Sequence, residues 1–83
     1  MTTFYFHLRH SDGLVEDPDG SELADLEAAI EEAKAGVRAL VAESIRENKL
    51  LQPTTIEITD DKGNVLDTVT FREVLEEALN PLR

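Results

Sequence analysis

From Leu26 to Asn48, one helical face is traced by Leu26, Ile30, Ala33, Val37, Leu40, Val41, Ser44 and Ile45, which recur at steps of three and four. A helix with a single apolar side has to bury it, and the segments on either side offer a partner. Thr3 to His10 alternates, with Phe4, Phe6 and Leu8 pointing one way and Tyr5, His7 and Arg9 the other. Thr54 to Asp60 alternates again, with Ile56 and Ile58 inward and Thr55, Glu57 and Thr59 outward. Period two marks half-buried strands. The helix therefore has a sheet to lie on, and the same stripe read as a coiled-coil seam is the poorer account, since Ala33 and Ser44 are weak seam residues.

The connections fit this plan. Ser11-Asp12-Gly13 is a turn signal, and Leu14-Val15-Glu16 reads as a short return strand. Asp17-Pro18-Asp19-Gly20 breaks the chain. Asp25 is placed to cap the helix, with Glu27, Glu31 and Glu32 near its positive end and Arg46 and Lys49 near its negative end. Gly36 costs about 1 kcal/mol of helix propensity relative to Ala, and close approach to a sheet is its expected compensation. Pro53 ends the connection after Lys49. Asp61-Lys62-Gly63-Asn64 joins a hairpin whose second strand places Val69 and Phe71 in the core and Leu66, Thr68 and Thr70 outside. A short helix follows, with Val74, Leu75, Ala78 and Leu79 on its apolar side, ended by Asn80-Pro81.

The expected fold is α+β. An antiparallel sheet of three to four strands packs on one long helix, about 25–48, with a short C-terminal helix, in the order β-(β)-α-β-β-α. Residues 1–83 form a single domain, with no repeat or linker. Whether residues 14–16 pair as a strand stays open at this point.

Charge is unevenly spread. Nine carboxylates (Asp12, Glu16, Asp17, Asp19, Glu22, Asp25, Glu27, Glu31, Glu32) lie between positions 12 and 32 without a Lys or Arg, out of 18 acids in the chain. The remaining 62 residues carry nine acids against eight bases. A net charge of −10 and scattered bases argue against nucleic acid and anionic membranes, and favour a basic protein or a cation. There is no Cys, no signal-peptide pattern and no apolar run of about 20 residues, which leads to the expectation of a cytoplasmic protein.

Chemical motifs are sparse. Asp17-Pro18-Asp19-Gly20-Ser21 starts like a calcium loop, but the sixth and twelfth positions are Glu22 and Ala28 where Gly and Glu are needed. Counting from Asp60, the third and twelfth positions are Lys62 and Phe71. No metal site is expected. His7, between Tyr5 and Arg9, is in reach of Glu57 or Thr59 across the sheet, an arrangement that is more often a surface hydrogen bond than an acid–base dyad. No nucleophile elbow, dinucleotide fingerprint or P-loop occurs, so no enzyme activity, cofactor or small-molecule substrate is expected. The expected contact surfaces are the outer sheet face (Tyr5, His7, Arg9, Leu66), suited to a homodimer, and the acidic segment (Asp17, Asp19, Glu22).

The strand Phe4-Tyr5-Phe6-His7-Leu8-Arg9, the Asp12-Gly13 turn, the run Asp19-Gly20-Ser21-Glu22-Leu23-Ala24-Asp25-Leu26-Glu27-Ala28-Ala29 and the hairpin from Ile56-Glu57-Ile58-Thr59-Asp60 to Phe71 together resemble a family of short, uncharacterised bacterial proteins, known as a domain of unknown function. The resemblance implies a small α+β domain and carries no activity, cofactor or catalytic residue. The strand, Asp-Gly turn, return strand and helix start are also similar to antitoxin-type domains that neutralise basic RNA-cleaving toxins. The chain departs from that pattern by its hairpin after the helix and by the lack of a recognisable DNA-binding tail. The expected function is a non-enzymatic protein–protein interaction domain that pairs with itself; the alternative is an acidic, antitoxin-like or regulatory module for a basic partner.

Overall fold

The computed structural model describes residues 1–49 and 53–79. Strand β1 (Thr2–His10) leads through a tight turn to β2 (Gly13–Val15) and then, after a loop, to β3 (Ser21–Leu23). Helix α1 (Leu26–Arg46) follows, then the hairpin β4 (Thr55–Thr59) and β5 (Val65–Thr70), then α2 (Phe71–Leu79). The α+β expectation holds, with one strand more than foreseen. All pairings are antiparallel, and the order across the sheet is β2-β1-β4-β5. β3 pairs with the N-terminal half of β1, while β2 pairs with its C-terminal half. Residues 14 and 15 do pair as a strand, with Arg9 and Leu8.

Alternation sorts the two sheet faces as the sequence indicates. Phe4, Ile56, Ile58 and Val69 are buried beneath Ala29, Ala33 and Val37 of α1 and Phe71 and Val74 of α2. Small residues at positions 29 and 33 let the helix backbone lie near the sheet. Phe6, Leu8, Leu23, Leu26, Ile30 and Val41 close the margins. The expected helical stripe runs too far toward the C-terminus: Leu40 is 38% and Ile45 75% exposed. The fully buried positions of α1 end at Val37.

Local signals account for most boundaries. The Asp25 carboxylate accepts the Ala28 N–H at 2.8 Å and starts α1. The helix ends at Arg46, two residues short of the expected Asn48, which itself adopts φ 56 just past the helix. Gly63 has φ +86 in the hairpin turn, where an L side chain would be strained. Gly36 refutes its expected role: it is exposed, and a Cβ added there would meet nothing within 4 Å. Nothing in the structure explains a glycine at this position. The expected connection at 50–52 and the Asn80-Pro81 stop lie outside the described residues. No helix among the described residues is long and apolar enough to cross a membrane.

Candidate interaction surface

The helices cover one sheet face. The other is assembled by register. Tyr5, His7 and Arg9 stand opposite Thr59, Glu57 and Thr55 of β4, and Thr55 and Glu57 stand opposite Thr70 and Thr68 of β5. Residues opposed across an antiparallel pair share a face. Two more follow from the short strands: Leu14 lies opposite Arg9, and Glu22 opposite Thr3. Glu22 of the acidic segment therefore borders the same face as Tyr5, His7 and Arg9. Its only sequence signal is the three-residue alternation of Ser21-Glu22-Leu23, too short to read as a strand.

Asp17 ties the acidic segment to this face. Leu8 is matched to Val15 and Phe4 to Ser21, which leaves Phe6, midway, without a strand partner on that edge of β1. A backbone N–H so placed needs an acceptor. The Phe6 N–H donates to Asp17 Oδ2 at 3.2 Å, while Asp17 Oδ1 accepts the N–H groups of Asp19 (3.1 Å) and Gly20 (3.2 Å). One carboxylate thus fills the gap between β2 and β3 and folds the loop between them. Burial alone would raise its pKa, but the N–H groups of Gly20, Phe6 and Asp19 outweigh burial and hold it below the ordinary range for aspartate.

The loop also presses on the outer face. Asp17 donates its own N–H to His7 Nδ1 at 3.0 Å, so Nδ1 is unprotonated and Nε2 carries the hydrogen toward Thr59 Oγ1, 3.1 Å away. Tyr5 and His7 lie with ring centroids 6.3 Å apart and planes 11° apart. Gly20, at φ +73, sits against β1 so closely that an added Cβ would come within 2.9 Å of Thr3 and Tyr5 side-chain atoms. Next along β1, the Arg9 Nε donates to Glu57 Oε2. This bond raises the Arg9 pKa, aided by the charge of Glu57.

The structure therefore joins most of the expected contact residues into one surface. Tyr5, His7 and Arg9 share the face, Glu22 borders it, Asp17 is half withdrawn into the loop, and Asp19 is exposed. Leu66 sits at an irregularity of the β4–β5 pairing. The β4–β5 register shifts so that Val65, not Leu66, opposes Thr59; such an irregularity takes a residue out of strict alternation. Leu66 is 41% exposed, Val65 54% and Leu14 39%, so the rims of the face carry apolar side chains. Among the described residues, no three His, Asp or Glu side chains converge in a way that would hold a metal ion.

No curated protein matches the chain, and no solved structure does. Residues 3–72 match the family model of DUF6894, a domain of unknown function, and the chain belongs to that family.

Proposed function

We propose that this domain is a non-enzymatic, cytoplasmic protein–protein interaction module that pairs with a second copy of itself through its outer sheet face. One observation carries the reading. Helices cover one face of the sheet, whereas on the other, among the described residues, the 16–20 loop lies against Thr3, Tyr5 and His7, with exposed Leu14, Val65 and Leu66 around the rims. Apolar groups exposed at the margins of a sheet face suit contact with another protein surface. Sedimentation velocity from low to high micromolar concentration tests it. A concentration-dependent dimer that is lost on Leu14→Ser with Leu66→Ser supports the reading, and a monomer throughout contradicts it.

A second reading has its own support. The carboxylates of Asp19 and Glu22 are exposed and have no partner among the described residues. They are available to a basic protein, as in an antitoxin-like or regulatory module. A partner captured by the native chain, released by salt and lost on Asp19→Asn with Glu22→Gln would favour this reading. Asp17 is left out of that variant because it is needed to hold the loop.

A further inference from the structure

A cavity of about 400 Å³ opens at the end of the sheet where β1 finishes, β4 begins and α2 starts. That volume lies within the range of small-molecule pockets, about 300–1,000 Å³. Its walls carry Arg9, His10 and Arg72, with Thr55 beside them and Phe71 and Pro53 as apolar surface. Among the described residues no Asp or Glu lines it, but two carboxylates stand behind the walls: Glu57 accepts from Arg9, and Glu73 accepts from Thr70 Oγ1 at 3.2 Å.

The donors are open to a ligand. Arg72 makes no ion pair among the described residues. Arg9 engages Glu57 through Nε, which leaves its two terminal nitrogens. His10 is held by its Nδ1 contact with Thr54 Oγ1 at 3.0 Å, so its other ring nitrogen is the one left. The start of α2 contributes little: the Phe71 N–H donates to Thr54 O, and the Glu73 N–H to Thr70 Oγ1.

We infer that this cavity binds a small molecule that bears an oxyanion, phosphate or carboxylate, on an apolar body, with Arg9 and Arg72 holding the oxygens and Phe71 and Pro53 contacting the body. Guanidinium groups suit this role because their paired N–H donors match two oxygens at once. The site needs no partner chain, although Arg9 also belongs to the outer sheet face of the dimer reading.

The test is an amide NMR titration of the full chain with phenyl phosphate and, separately, benzoate, in a background of sodium chloride. Saturating shifts centred on His10, Thr55 and Arg72 are expected. Arg72→Gln, at an exposed position, should weaken binding about tenfold or more, and Arg72→Lys should restore only part of it. Tighter binding of phenyl phosphate assigns the natural anion as a phosphate, and tighter binding of benzoate as a carboxylate. Shifts that never saturate, that spread equally to Lys62 and Arg38, or that persist unchanged in Arg72→Gln would overturn the inference.

Discussion

Two aspartates organise two turns of this molecule by the same device, and with different reach. Asp60 accepts the N–H groups of Lys62 and Asn64, both at 2.9 Å, and the Asn64 side-chain amide at 3.0 Å. Every partner lies within four residues, in a turn exposed at its tip. Asp17 makes a comparable set of bonds, but one of them crosses to Phe6 in another strand. Both carboxyls are held below the ordinary range, Asp60 chiefly by the side chain of Asn64 and Asp17 by backbone N–H groups that overcome its burial. Asp60 shapes a turn that the hairpin already brings together. Asp17 supplies an acceptor that the sheet lacks.

Removing each acid should separate the two roles. Asp17→Ala is expected to have the largest effect. It leaves the Phe6 N–H unpaired at a half-buried strand edge, a loss of about 1–3 kcal/mol for a buried group and in the lower half of that range here. Urea denaturation measures it, and Asp60→Ala should move the midpoint much less. Equal losses would break the comparison. Gly20→Ala comes next: a left-handed φ costs an L residue about 1–2 kcal/mol, and the added methyl would crowd Thr3 and Tyr5. By contrast, Gly36→Ala should stabilise the fold by about 0.5–1 kcal/mol and so raise the melting temperature, because the added methyl meets open space in a helix.

Acid sharpens the contrast with the smallest effect. A carboxyl whose folded pKa is below its unfolded value of about 3.9 adds stability at neutral pH. That contribution is present above the unfolded pKa and is lost as pH falls through the folded one. Asp17→Asn should therefore flatten the decline of stability below about pH 4. Stability curves that stay parallel for native chain and variant would mean that the carboxylate is not held as described.

What the sequence disclosed follows the same division between local and distant. The alternation of Phe4 to Arg9 and of Ile56 to Thr59, the helical stripe as far as Val41, the Asp25 cap and the Gly63 turn are contained within short windows, and the structure has them. β3 escaped because three residues cannot establish a period. The Asp17–Phe6 bond spans 11 positions and exists only because two short strands leave a gap along β1. The register shift beside Leu66 belongs to strand pairing, and no residue there announces it. The cavity joins Arg9 to Arg72 across most of the chain, which composition and spacing cannot foresee. Gly36 shows the opposite error, a local oddity given a tertiary reason that the structure does not support.

The Asp17 carboxylate stands in for a missing strand at Phe6, and amide hydrogen exchange at Phe6 reports on that bond. The account predicts that the Phe6 amide is protected in the native chain, and that Asp17→Ala abolishes this protection while Ile56 and Ile58 in the core stay protected. A Phe6 amide that exchanges as fast in the native chain as in the variant would contradict it.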